Sequence, residues 1–110
     1  MSKDPAVYLA HILESIQEIE LFLAGVDEAA FLAWPEKQAA VTWKLVTIGE
    51  SVAQLPESFK AAHPEVPWAQ IKAARNILVH EYFRLDANEV WQMAIRDLPE
   101  LKTRLAALVV

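Results

Sequence analysis

Apolar residues recur at spacings of three and four along most of this chain, and that spacing constrains the fold more than any other feature. Between positions 41 and 55 the two spacings alternate, in a row made of Val41, Leu45, Ile48, Val52 and Leu55. Such a row lies on one face of an α-helix and packs against another helix. A second row is Leu9, Ile12, Leu13, Ile16, Ile19 and Leu23. No segment shows the alternation typical of a β-strand, so the pattern predicts an all-α, up-and-down bundle of four to five helices.

Capping residues and prolines predict where the first helices begin and end. Asp4 and Pro5 are typical of an N-cap followed by the first helical residue. Gly25 is typical of a helix end. Asp27 predicts the cap of a short second helix, and Pro35 predicts the start of a long third one.

The C-terminal half is predicted to hold a brief helical turn from Pro56, a helix with Pro67 in its first turn, and a last helix that begins after Asp86. Pro99 is expected to bend the last helix, because proline removes a backbone hydrogen bond. The predicted buried stripe of that helix is Val90, Trp91, Ile95, Leu98, Leu101, Leu105 and Leu108.

Gly49 stands inside the third predicted helix, where glycine costs about 1 kcal/mol relative to alanine. We expect a neighbouring backbone to approach closely there; the alternative is a glycine that is tolerated without a role in packing. The tryptophans are expected in the core or at an interface: Trp34, Trp43, Trp68 and Trp91.

Length and composition indicate one domain over residues 1–110, with 55% hydrophobic residues. A small chain with so many apolar residues is expected to bury part of its surface against a partner. It has no cysteine, no apolar run of about 18 residues and no signal-peptide pattern at its start, which together predict a cytoplasmic protein that does not span a membrane. The net charge of −5 argues against a broad nucleic-acid surface but permits a local basic site.

Polar side chains interrupt one otherwise apolar helical segment at Arg75, Asn76, His80 and Tyr82. Burying such groups without partners costs free energy, so they are expected to line a site. A guanidinium binds phosphate with a planar fork, and an imidazole moves protons near neutral pH. On an ideal helix Arg75 and His80 are about 140° apart and about 7.5 Å apart along the axis. They would therefore flank a slot suited to chemistry at a phosphodiester.

The Arg-x4-His spacing from Arg75 to His80 resembles the signature of the HEPN superfamily of small helical RNA-cleaving domains. The longer string Arg-Asn-x3-His-x-Tyr resembles the HepT-like branch of that superfamily. Further matches follow in order along the chain: Ile48-Gly49-Glu50, Pro67-Trp68, Asp86, Val90-Trp91 and Leu98-Pro99. The resemblance implies a HEPN-like bundle, a homodimer with a composite site at its interface, and the toxin half of a toxin–antitoxin pair.

The same resemblance implies an endoribonuclease that needs no metal or cofactor and uses the RNA 2′-hydroxyl as nucleophile. His80 suits the proton transfers, and Arg75 suits the stabilisation of charge at phosphorus. Asn76 is expected to fix the imidazole tautomer or to hold the phosphate. No metal site is expected, because His11 and His63 have no partner at a ligand spacing.

Tyr82 has two expected roles. Its hydroxyl could donate a hydrogen bond to a phosphate oxygen. It also matches the tyrosine that, in HepT-like toxins, accepts an adenylyl group from the cognate minimal nucleotidyltransferase antitoxin. Lys72 and Arg84 are the nearest cations in sequence to the motif and are expected to bind the RNA substrate.

Structural alternatives remain open for each of these residues. Arg75 could form an ion pair with Glu50 or Glu89. His80 could have its hydrogen bonds satisfied by a neighbouring residue. Tyr82 could be a half-buried aromatic residue with a solvent-exposed hydroxyl. For the whole chain, the alternative is a non-catalytic helical partner, or a nucleotide-binding module, of a nucleotidyltransferase. A bundle with structural roles alone is a third reading.

Overall fold

The structure is a computed structural model that describes residues 4–80 and 86–109, and within them it is all-α with no strand. Its helices are α1 Pro5–Leu23, α2 Glu28–Leu32, α3 Pro35–Gln54, α4 Glu57–Ala62, α5 Trp68–His80, α6 Ala87–Gln92 and α7 Leu98–Ala106. A π-helical turn, Met93–Asp97, joins α6 to α7. The bundle therefore has four long rods in this part of the chain, namely α1, α3, α5 and the continuous α6–α7 rod. The predicted fold class is confirmed.

The predicted helix boundaries are confirmed by the capping geometry. The side chains of Asp4, Asp27 and Asp86 each accept a hydrogen bond from a backbone N–H two or three residues later, at 3.0, 2.8 and 3.0 Å. Pro35 occupies the first turn of α3. Gly25 follows α1 with a φ of 74°, a left-handed conformation that favours glycine. Capping aspartates, proline and glycine therefore set the helix ends through interactions within a few residues.

The core forms where the predicted apolar rows of α1 and α3 face each other, and every member of the α3 row is buried. The α6–α7 rod returns along α1, where Lys102 forms an ion pair with Glu20 at 3.0 Å. Helix α5 packs against α3 at Gly49. None of the described helices combines the length and the apolar content needed to cross a membrane.

The predicted stripe of the last rod is wrong at Ile95, whose surface is 47% exposed. The cause is the π-helical turn, in which the Leu98 N–H donates to the Met93 carbonyl five residues earlier. A π turn holds more residues than an α turn, so the stripe shifts and Ala94 is buried instead. Pro99 follows at the start of α7, where its missing N–H is tolerated.

The tryptophans divide between the core and the surface. Trp91 is buried against Phe31, with 5.3 Å between ring centroids. Trp68 is half-buried. Trp34 and Trp43 are 41% and 67% exposed, so neither belongs to the core of one chain.

Candidate active site on helix α5

Helix α5 is fixed at its start by Trp68. The indole Nε1–H lies within hydrogen-bond distance of the backbone carbonyls of Lys60 and His63, at 3.0 and 2.9 Å, which ties α5 to the end of α4. Further along, Leu78 is buried in the core. Arg75, three residues before Leu78, also faces α3, whereas Asn76 and His80 lie on the side of α5 away from Leu78.

Gly49 allows α5 to approach α3 closely, as predicted. A Cβ atom added at position 49 would collide with Cβ and Cγ of Arg75 and would lie 3.6 Å from its Cα. The stem of Arg75 therefore crosses α3 in the space that a side chain at position 49 would occupy. This contact fixes where the guanidinium emerges.

The guanidinium of Arg75 is held by two neighbours. Its Nη1 donates to the Asn76 Oδ1 at 2.7 Å, and its Nη2 donates to the Glu50 Oε2 at 3.3 Å. Nε lies 3.1 Å from the Glu50 Oε1, but this buried N–H is not aligned for a hydrogen bond. Of the two proposed ion-pair partners, Glu50 is the one in contact.

This arrangement leaves Arg75 able to bind an anion. The two terminal nitrogens of a guanidinium carry four N–H groups, of which the contacts with Glu50 and Asn76 use two. The side chain is 25% exposed. Two charged donors, in the fixed geometry of a fork, are thus left for a phosphate.

His80 is exposed near the end of α5, beyond Asn76. Asn76 and His80 are four residues apart and so lie on one side of the helix. Among the described residues, no hydrogen bond joins His80 to Arg75 or to Asn76, whose amide oxygen is engaged by Arg75. The imidazole is therefore exposed and is not engaged by either of these two residues.

Lys72 is exposed one turn before Arg75 and forms no ion pair within the described ranges. Tyr82 and Arg84 lie outside the described residues, so their roles stay predictions.

The sequence offers Glu50 as an ion-pair partner of Arg75 but does not assign it to the site. Its side chain is 51% exposed, yet it makes the ion pair that positions Arg75. The signal that pointed to it was its place directly after Ile48 and Gly49, since Gly49 is where α5 crosses.

In residues 4–80 and 86–109, no three acidic or histidine side chains come together as a metal site would require. His63 instead lies 3.4 Å from a carboxylate oxygen of Glu65, and His11 is exposed on α1. The site as described consists of a guanidinium, an amide, a carboxylate and an imidazole.

A family described as "Ribonuclease HepT-like" matches residues 12–108, a range that holds every residue of this site. The chain belongs to the HepT-like family. It is 35% identical to a "probable ribonuclease HepT" of Thermococcus cleftensis, over 98% of each chain. It is 32% identical to a "putative RNase" of Caldanaerobacter subterraneus subsp. tengcongensis, over 97% of this chain and 96% of that one.

A longer relative is a "gamma-glutamylcyclotransferase and putative RNase" of Methanocaldococcus jannaschii, 34% identical over 99% of this chain. The HepT-like chain spans only 49% of that protein. No solved structure matches the HepT-like chain.

Proposed function

We propose that this HepT-like chain is a metal-independent endoribonuclease and the toxin of a toxin–antitoxin pair. The observation that carries the proposal is the presence on α5 of a guanidinium held by Glu50 and Asn76, with two terminal N–H groups that no described residue uses, and of an exposed imidazole five residues later. The ribonuclease names of the relatives support the same chemistry.

In the proposed reaction, the 2′-oxygen of the RNA attacks the adjacent phosphorus and the bond to the 5′-oxygen breaks. One imidazole takes the 2′-hydroxyl proton, and a second protonates the departing 5′-oxygen. Arg75 stabilises the negative charge that develops on the phosphoryl oxygens. The products are a 2′,3′-cyclic phosphate and a 5′-hydroxyl.

Two imidazoles require two protomers, which is the reason to propose a two-fold homodimer with a composite site. Trp43 supports this arrangement, because it is 67% exposed and lies seven residues before Glu50 on the same face of α3. A second copy that covers Trp43 would thus lie against the motif. Sedimentation at twice the 12.4 kDa chain mass would support the dimer, whereas a monomer that cleaves RNA would overturn it.

The experiment that tests the proposed function is cleavage of a labelled single-stranded RNA by protein that has been dialysed against a chelator. We expect cleavage to continue at the same rate, with a cyclic phosphate on the 5′ fragment. A preparation that cleaves only when a divalent cation is returned would refute metal independence. A folded preparation that never cleaves would refute the enzyme.

The proposed antitoxin is a minimal nucleotidyltransferase that adenylylates Tyr82, and the proposed setting is the cytoplasm. Incubation with that enzyme and ATP is expected to add the mass of AMP to a peptide that contains Tyr82, as measured by mass spectrometry. The Tyr82→Phe variant should stay unmodified. Modification of that variant to the same extent would place the acceptor elsewhere.

The net charge of −5 and the exposed Trp43 also favour the alternative, a non-catalytic partner of a nucleotidyltransferase. That alternative predicts tight binding of the nucleotidyltransferase without any RNA cleavage. The chelator experiment therefore separates the two functions.

A further inference from the structure

Two concavities meet at Arg75, and both have the size of a nucleotide pocket. One, of about 360 Å³, lies between α3, α5 and the α6–α7 rod. The other, of about 470 Å³, lies between α3, α4 and α5, and we name it the α4–α5 hollow. Size does not decide which of them could hold a piece of the substrate.

Charge separates the two concavities. The first is lined by Glu65, Asp97 and Glu100 against Arg75 and Arg104. Arg104 is already engaged, because its Nη2 lies 2.9 Å from Glu100 and its Nη1 donates to the Glu65 carbonyl at 2.7 Å. This concavity therefore repels a phosphate.

The α4–α5 hollow carries the opposite charge. It is lined by Lys60, Lys72 and Arg75 against the single carboxylate of Glu57. Glu57 pairs with Lys60 at 3.1 Å and Glu50, beside the hollow, pairs with Arg75 at 3.1 Å. The exposed Lys72 is therefore the cation best able to take up a new anion. On a chain of net charge −5, a local excess of cations beside the proposed catalytic arginine is a specific feature.

The residues that line the α4–α5 hollow can accommodate a nucleobase. Val52 is buried beneath it, and Ala53, Ala61 and Ala69 line it with no more than a methyl group each. Trp68 forms part of the wall and is fixed there by its two hydrogen-bond acceptors, Lys60 on α4 and His63 directly after it. A preformed space with small apolar residues and one aromatic wall accommodates a planar ring.

We propose that the α4–α5 hollow binds the nucleotide that lies one phosphate away from the scissile linkage, with Lys72 on that second phosphate. This inference rests on the proposed endoribonuclease function. Lys72 lies about 4.5 Å along the helix axis from Arg75, on the side away from His80. The RNA strand would thus run along α5 from His80 across Arg75 to the hollow.

The first test is the salt dependence of binding for a short single-stranded RNA in which every 2′-hydroxyl is methylated, so that it cannot be cut. Each phosphate contact to a single strand contributes about 0.7 to the slope of log affinity against log salt. The slope of Lys72→Ala is expected to be smaller by about that amount. The affinity ratio of wild type to Lys72→Ala should therefore fall about 2.6-fold between 50 and 200 mM salt. Lys102→Ala, which removes an exposed lysine on α7, should keep the wild-type slope.

The second test fills the hollow. Ala69→Leu is expected to raise KM for RNA cleavage by about tenfold or more and to leave kcat close to wild type, because it blocks binding rather than chemistry. The matched control is Ala10→Leu, a substitution of the same kind at an exposed position of α1. A dinucleoside monophosphate lacks the second phosphate, so Lys72→Ala should cut it as well as wild type does.

These outcomes separate the subsite from the function. RNA cleavage with an unchanged salt slope in Lys72→Ala, or an unchanged KM in Ala69→Leu, would overturn the subsite and leave the endoribonuclease standing. Binding that depends on Lys72 and Ala69 in a protein that never cleaves would support the subsite and refute the enzyme. An absence of RNA binding would overturn both.

Discussion

Replacement of His80 by alanine is expected to lower the rate of RNA cleavage by about 10²- to 10⁴-fold, the usual contribution of a general acid or base. The imidazole is exposed at the end of α5, so its removal should leave no cavity and should not change the thermal unfolding midpoint. Arg75→Ala is expected to lower the rate by about 10²- to 10³-fold through loss of charge stabilisation. Initial rates on a labelled RNA, with circular dichroism of each variant, measure both effects.

His11→Ala is the matched control for His80→Ala, because it removes another exposed imidazole, on α1. It should cleave at the wild-type rate. Arg75→Lys keeps the positive charge but loses the planar fork, so it should recover little activity. If His80→Ala and Arg75→Ala both cleave as wild type does, the catalytic assignment is wrong.

Gly49→Ala is expected to destabilise the protein by about 1–3 kcal/mol, the usual cost of overpacking. Without a collision the same change inside a helix would stabilise by about 1 kcal/mol, so the sign of the effect is diagnostic. The added methyl would meet Cβ and Cγ of Arg75. Cleavage should fall as well, since the guanidinium must move away from Glu50. Urea unfolding and cleavage rates on the same preparation give both quantities.

The control removes the Arg75 side-chain atoms with which the added methyl group would collide. In an Arg75→Gly background the colliding side-chain atoms are gone, so addition of Gly49→Ala should now increase stability, while cleavage stays as low as in Arg75→Gly alone. A stabilising effect of Gly49→Ala in the wild-type background would contradict the close approach of α3 and α5.

An acidic net charge is compatible with an RNA substrate because most cations of the described residues are paired with carboxylates, whereas Lys72 is not. Lys44, Arg96, Lys102 and Arg104 each lie within 3.4 Å of a carboxylate oxygen. These pairs are partly or largely exposed, and such pairs contribute little to stability. Among the described residues, Lys72 is left without a carboxylate partner, and it lies one turn from Arg75 at the proposed site.

Helix class and boundaries were predictable because they depend on short-range physics. The spacing of the α3 row sets one buried face whatever surrounds it, and the caps at Asp4, Asp27 and Asp86 act within three residues. Gly49 was informative for a related reason, since its cost inside a helix demands a structural explanation. Arg75, Asn76 and His80 could be placed on one helix from their spacing alone.

By itself, the sequence determined that this chain is a helical bundle of the HepT-like family with Arg75 and His80 on one helix. Only the tertiary structure decided that Glu50 holds Arg75, that Ile95 turns outward and that a basic hollow adjoins the motif. The reason is that local hydrogen bonding fixes a helix, whereas an ion pair or a hollow depends on how two helices cross. Here that crossing is set by the bare backbone of Gly49 against Arg75. The outward turn of Ile95 is set instead by one π-type hydrogen bond before Pro99.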